Sequence, residues 1–339
     1  MVKRITLGDV ARAAGVSTAT VSMALNGKPG SRIPAATVEK VRRAARELGY
    51  RPNAAARALK TGKTGMLGFV SDEVTITRFA SPMISGMLEF AEQAGSSVMM
   101  AEIAHKDVQL ESAIENLVNR NVDGIIVGLM ASREIRLPDV DKPLVVCNGV
   151  STRYPSVLPD DYTAGYDAIS YLAAKGHHRI AVIGRYPSET EVQPSCSIRD
   201  RFRGIDDAVA EFGLDVIAEF PGTEWEPELG YQGALDIMQY LSPTAILTAN
   251  DRIAFGTYQA FQERQISIPQ DVSVLSFDDE DLASLVRPGL TTLQLPYQQM
   301  GRKAAELISN TTSLSDLEHV SPLHLPLKVV ERESVTTGR

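Results

Sequence analysis

Cysteine is almost missing from this 339-residue chain. Cys147 and Cys196 are too few for a disulfide framework, and their spacing matches no metal-ligand pattern. Two isolated thiols suit a reducing cytoplasm, the expected location. No stretch of 18 apolar residues escapes a charge, so no membrane-spanning helix is expected. Met1-Val2-Lys3-Arg4 leads to Asp9 and Arg12 without an apolar segment, so no secretory signal is expected either. The patterns GxxxxGK[ST], HExxH and GxSxG are absent. An enzyme is therefore not expected, nor a cofactor or a metal site. Hydrophobic residues at 44% and charged residues at 22% are an ordinary globular balance.

Acidic residues are scarce at one end. Residues 1–63 hold 13 Lys and Arg against Asp9, Glu39 and Glu47, a net of +10. The remainder holds 21 cations and 39 anions, a net of −18. A basic head on an acidic body points to a polyanionic partner for the head alone. The length itself predicts two or three domains.

The head reads as helices. Leu7, Val10, Ala11 and Ala14 share one face, Thr6 caps it, and Gly15-Val16 ends it. A second helix opens at Ser17 or Thr18, with Val21, Ala24 and Leu25 inward, and stops at Asn26-Gly27. A third runs from Pro34 or Ala35 to Leu48, with Val38, Val41, Ala45 and Leu48 inward, before Gly49. The first two helices and their tight glycine turn make a helix-turn-helix, whose second helix is shaped for the major groove. A further short helix is expected over Ala54–Lys60, and 61–65 reads as a linker.

Beyond Gly65, short apolar runs alternate with helical stretches. The runs are Met66–Val70, Val98–Met100, Gly124–Leu129, Leu144–Cys147, Ile180–Ile183, Val216–Ala218, Ala245–Thr248 and Val272–Phe277. Such strands imply parallel sheets covered on both faces, and eight units are many for one sheet. The fold class is therefore α/β, with an all-α head and two Rossmann-like lobes. Ligands bind at the carboxyl ends of strands in such folds. Asp72, Trp225, Asn250-Asp251 and Asp278-Asp279 follow strands, Phe79 lies in the first loop, and Arg201 sits in the first turn of a helix. Carboxylates and an arginine suit vicinal hydroxyls, and an indole face suits the apolar side of a pyranose. Asp251 reads better as a helix cap. His177-His178 reads as structural, not as a metal site.

The phrases TLGDVARAAGVSTATVS, ALNG, VRRAARELGYRPN and AARALKTG closely resemble the head of LacI/GalR-family bacterial transcription regulators. GHHRIAVIG, RDRFRGIDDAV, AILTANDRIAFG, IPQDVSVLSFDD and PGLTTLQLP extend the resemblance over almost the whole chain. It implies a cytoplasmic, nucleoid-associated homodimer on a palindromic operator, with a type I periplasmic-binding-protein-like core and a small effector between its lobes. The implied boundaries are 1–50 for the head and 51–64 for the hinge. They are 65–159 plus 292–320 for one lobe, and 160–291 plus 321–335 for the other.

By the same resemblance Thr18, Ala19 and Met23 read bases, and Thr6, Ser17, Thr20, Ser22, Asn26 and Arg32 also lie at the DNA. Many members carry arginine or histidine where Met23 stands, and methionine makes only apolar contact with a base. Asn53, Ala56, Arg57, Leu59 and Lys60 match the hinge helix, with Leu59 wedged into the minor groove. Effector positions map onto Arg201, Trp225, Asn250 and Asp278, and less directly onto Asp72 and Phe79. The expected function is repression of carbohydrate-utilisation genes in response to a sugar or sugar derivative. The alternatives are a nucleoside or phosphorylated metabolite as effector, or a sugar-binding transport protein, which should carry a secretion signal in place of the basic head.

Overall fold

A computed structural model describes residues 5–26, 33–50, 62–72, 80–103, 107–187, 195–311, 314–317 and 320–338. Arg32, Asn53, Ala56, Arg57, Leu59, Lys60 and Phe79 lie outside the described residues, as does the expected hinge helix. Two compact units divide near Gly65.

The first unit holds α1 (Leu7–Ala14), α2 (Thr18–Asn26) and α3 (Ala35–Glu47). Thr6 and Asp9 form a reciprocal capping box at the start of α1. Gly15, at φ 60°, closes that helix in the left-handed region, where glycine carries no Cβ penalty. The Ser17 hydroxyl accepts from the Thr20 N–H at 3.1 Å and starts α2. Val10, Ala14, Val21 and Val41 are buried where the three helices meet. Val38 and Leu48, expected inward, pack at the margin of this cluster.

The second unit contains two six-stranded sheets. The first has β1 (Met66–Asp72), β2 (Ser97–Ile103), β3 (Gly124–Gly128), β4 (Leu144–Cys147), β5 (Ser156–Pro159) and β11 (Leu323–Leu325), in the order β11-β5-β4-β3-β1-β2. Its paired strands are all parallel. The second has β6 (Arg179–Ile183), β7 (Asp215–Phe220), β8 (Ala245–Thr248), β9 (Ser273–Asp278), β10 (Thr291–Gln294) and β12 (Lys328–Val330), in the order β12-β10-β9-β8-β6-β7. Only β12 runs antiparallel. Fully buried strands such as Leu144–Cys147 are apolar throughout because helices cover both faces.

The chain passes from one sheet to the other near 160, near 296 and near 326. Two expected boundaries are thereby corrected. Thr291–Gln294 pairs with β9, so residues 292–294 belong with the second sheet. Leu323–Leu325 pairs with β5, so these residues belong with the first sheet. Short strands of three or four residues carry too little periodicity to show which sheet receives them.

Two helices set up the interior of the second lobe. They are α6 (Asp161–Ala174) and α7 (Cys196–Phe212), counted after α4 (Ala80–Gln93) and α5 (Asp107–Asn119). A Cβ on Gly165 would strike the Arg201 carbonyl, and one on Gly204 would strike the Tyr162 carbonyl. The two bare positions let α6 and α7 lie backbone against backbone, which sets the start of α6 beside Arg201 in the second turn of α7.

Candidate functional site

A cavity of about 690 Å³ lies between the two sheets. Its wall includes Met130–Glu134 and Asn148 from the first lobe and Ser195–Arg199, Arg201, Trp225, Asn250 and Asp278 from the second. Arg201, Trp225, Asn250 and Asp278 are thus brought together as the sequence led one to expect. Such a volume, with a few convergent polar groups among apolar walls, suits a small organic ligand.

Arg201 is buried to 4% exposure. Its Nε and Nη2 donate to Asp161 Oδ1 at 2.8 and 2.6 Å, and its Nη1 donates to the Ala249 carbonyl at 3.0 Å. Its face stacks on the Phe277 ring, 4.3 Å from the centroid. Of five guanidinium N–H groups, one on each Nη has no hydrogen-bond acceptor among the described residues. Burial pushes the Asp161 pKa up, while the Arg201 guanidinium and the Ser197 hydroxyl pull it down. Oδ2 of Asp161 is buried without a partner at hydrogen-bond geometry, the Ser197 hydroxyl included. Burial opposes the charge on Arg201, but Asp161 and Asp278 raise its pKa and hold it ionised. The helix of Arg201 is therefore tied to Asp161, not to the nearby Asp200, Asp206 or Asp207.

Trp225 is half-buried, and its indole N–H donates to the Gly184 carbonyl at 2.8 Å. Tyr186 meets it edge-on, with ring centroids 5.8 Å apart. Asn250 caps α9 (Asp251–Glu263), which follows α8 (Pro227–Tyr240): its Oδ1 accepts from the Ile253 N–H, and its Nδ2 donates to the Trp225 carbonyl. The cap expected at Asp251 therefore falls one residue earlier. Asp251 is buried instead, accepting from the Thr292 hydroxyl and the Glu280 N–H, both at 2.8 Å. Asp278 and Asp279 both have positive φ, 114° and 56°, at the end of β9. That uncommon conformation for non-glycine residues turns the chain at the cavity wall.

Asp72 does not line the cavity. It is buried behind it, where Oδ1 accepts from the Met130 N–H at 2.9 Å and Oδ2 from Arg133 Nη1 at 2.6 Å. Its carboxylate holds the wall segment and does not offer itself to a ligand. Arg133, Ser132 and Asp161 were not singled out from the sequence. The first two follow the strand Gly124–Gly128, so the rule of strand carboxyl ends applies to them equally. Ser132 Oγ is buried without a hydrogen-bond partner among the described residues, and the Ser132 carbonyl accepts from the Cys196 N–H at 3.3 Å across the cavity.

In the first unit, Thr18, Ala19 and Met23 are exposed on α2, and Met23 is 39% exposed. Ser17 and Thr20 bond each other at 2.9 Å, and Thr6 is engaged with Asp9, so these three hydroxyls organise the helix starts. Asn26 is the last residue of α2. Two of the head's three acids are neutralised locally, Asp9 by Arg12 and Glu39 by Arg46, which leaves the basic excess standing.

A helix-turn-helix head followed by a two-lobed α/β core with a polar cavity defines a DNA-binding regulator built on a ligand-binding core. Residues 6–53 match the bacterial regulatory proteins of the lacI family, and residues 169–335 match the periplasmic binding protein-like domain. The ribose operon repressor of Escherichia coli (strain K12) is 32% identical over 342 residues, covering 97% of this chain and 99% of that protein. The HTH-type transcriptional repressor PurR of Vibrio atlanticus (strain LGP32) is 30% identical, covering 98% and 99%. The crystal structure of the lac repressor dimer bound to operator and the anti-inducer ONPF superposes with a TM-score of 0.73 at 27% identity, covering 98% of this chain and all of that one. The chain belongs to the LacI family and is a ligand-responsive transcriptional repressor. No helix among the described residues is long and apolar enough to cross a membrane.

Proposed function

We propose that the chain represses carbohydrate-utilisation genes from the cytoplasm, as a homodimer with one head on each half of a palindromic operator. A sugar or sugar derivative occupies the cavity between the sheets and changes the affinity for DNA. The observation that carries this reading is the convergence of Arg201, Asp278, Asn250 and Trp225 on one cavity walled by both lobes. The two N–H groups left on Arg201 donate to ligand oxygens, Asp278 accepts from ligand hydroxyls, and Trp225 covers an apolar face. Similarity to ribose operon repressors over nearly the full length supports a carbohydrate. A nucleoside or a phosphorylated metabolite stays in the screen as the alternative.

At the DNA, Thr18, Ala19 and Met23 face base edges, with Ser22 and Asn26 on the same helix. Thr6, Ser17, Thr20 and Arg32 position the head on phosphates. Asn53, Ala56, Arg57, Leu59 and Lys60 enter the minor groove at the operator centre. The protein acts by binding and has no turnover of its own.

A thermal-shift screen of neutral sugars, sugar phosphates and nucleosides tests the effector. A ligand at 100 times its dissociation constant stabilises the core by about 2.7 kcal/mol. The same compound is expected to shift operator binding in a mobility assay. A stabilising compound that leaves operator affinity unchanged, and still binds Trp225→Ala as tightly, would place the effector elsewhere.

A further inference from the structure

Charge on the cavity wall leans negative, with Arg133, Arg199 and Arg201 against Glu134, Asp161, Glu226 and Asp278. Arg201 is paired with Asp161, with side-chain exposures of 5% and 2%. Arg133 is paired with Asp72. Glu226 is paired with Arg252. Among the described residues, Arg199 has no ion pair, and it stands exposed at the rim with Glu134, also exposed. No cation deep in the wall is left over for an incoming anion.

The Asp161–Arg201 pair has a particular geometry. The Nε–Nη2 edge of a guanidinium is a fork that a carboxylate or phosphate commonly occupies with two oxygens. Here one carboxylate oxygen, Oδ1, takes both N–H groups, and the other is left buried and unbonded. Asp161 is the first residue of α6, and its helix packs closely on α7 through Gly165 and Gly204, which sets the carboxylate beside Arg201.

Resting on the effector cavity proposed above, we propose that Asp161 sets the charge selectivity of this site: it fills the Arg201 fork from within the protein, so that neutral polyols are accepted and carboxylated or phosphorylated ligands are refused. An anion entering the wild-type cavity loses its hydration and meets the Asp161 and Asp278 carboxylates beside a guanidinium already neutralised, a cost without compensation. Removing the Asp161 charge frees the fork and reverses the preference.

The test uses the full chain, with inorganic phosphate and D-glucuronate as anionic probes and D-glucose as the neutral counterpart of the second. Calorimetry compares wild type, Asp161→Asn, Asp161→Ala and the double variant Asp161→Ala/Arg201→Gln. Asp161→Asn keeps the side-chain volume, so it decides the matter if the alanine variant fails to fold. Both single variants are expected to bind at least one anion tenfold or more tightly than wild type, with a gain that weakens as salt is raised. The gain is expected to vanish in the double variant. Wild type binding both anions as tightly as the variants overturns the proposal. So does a pair of folded single variants with no gain, or a gain that survives loss of Arg201. The cavity reading has a separate control: if wild type binds an anion and Trp225→Ala does not, the effector site stands and the charge selectivity fails.

Discussion

The Cys196 N–H and the Ser132 carbonyl meet at 3.3 Å across the cavity between the sheets, a backbone hydrogen bond between the two lobes. Cys196 is the first residue of α7, and Ser195 before it is extended, at φ −54° and ψ 153°. Both facts suit a proline at 196, which needs an extended predecessor and is tolerated at a helix start.

Cys196→Pro therefore deletes the bridging donor and leaves α7 intact. A backbone hydrogen bond has a net worth of about 0.5–1.5 kcal/mol. Effector affinity is expected to fall by roughly two- to tenfold, with the melting temperature of the unliganded protein lowered by no more than the same bond's worth. Calorimetry with the effector from the screen checks the first, and thermal melts the second. An effector affinity equal to wild type would show that this bond takes no part in closure.

Trp225→Ala removes the aromatic wall, together with the N–H bond to the Gly184 carbonyl. Loss of a large aromatic surface against a sugar ring is expected to weaken effector binding by about tenfold or more. Operator affinity without effector should stay within about twofold of wild type, because the head is a separate compact unit. Mobility assays with and without effector separate the two effects.

Met23→Arg places a two-pronged donor where an exposed thioether now stands. Pairing with guanine O6 and N7 is expected to change the preferred half-site by roughly 1–3 kcal/mol at one position. Selection of binding sites from random DNA reads this directly. An identical site profile for both proteins would remove Met23 from the base-reading set.

His177 gives the core an acid-sensitive point. Its Nδ1 lies 3.0 Å from the Thr244 hydroxyl and its Nε2 3.0 Å from the Thr336 carbonyl, which ties the C-terminal tail to the second sheet. Burial lowers its pKa below the usual histidine value. The unfolded chain therefore takes up this proton first as pH falls, so the stabilisation is present above about pH 6.5 and is lost progressively below it. Thermal melts between pH 7.5 and 5.5 are expected to show a steeper loss in wild type than in His177→Gln.

Asp251 should act with the opposite sign. Burial raises its pKa to about 7, against the hydrogen bonds from Thr292 and Glu280. The folded protein holds this proton between about pH 4 and 7, so its contribution declines as pH rises through that window. Asp251→Asn can donate to the Thr292 oxygen and accept from the Glu280 N–H. It is expected to flatten the decline, measurable as a smaller melting-temperature difference between pH 6 and 8. An equal difference in both proteins would show that Asp251 stays ionised throughout.

Much of this architecture was legible because strong patterns are local. The strand Leu144–Cys147 and the helix ending at Ala174 declare themselves within their own residues. Ser156–Pro159 does not, since four residues after a proline carry no measurable alternation. The helix Tyr297–Asn310 buries Met300, Ala304 and Ile308 at a regular helical spacing that is equally local. Within the site, Arg201 and Asp278 were legible from motif and strand position. The role of Asp161 was not, because its partner lies 40 residues away and the contact depends on how two helices pack. Asp72 misled for a related reason: a carboxylate at a strand end faces a ligand or braces a loop depending on what the next strand presents.

The three crossings between the sheets have a mechanical consequence. Pro159, Asp161, Leu295 and Tyr297 stand at two of them and also line the cavity. A ligand in this cavity therefore leans on the fulcrum as well as on the jaws. Contacts made close to an axle convert a slight rotation there into a large sweep at the far rim of each lobe. The effector need not span the opening to close it, and a small molecule can turn a body many times its own mass.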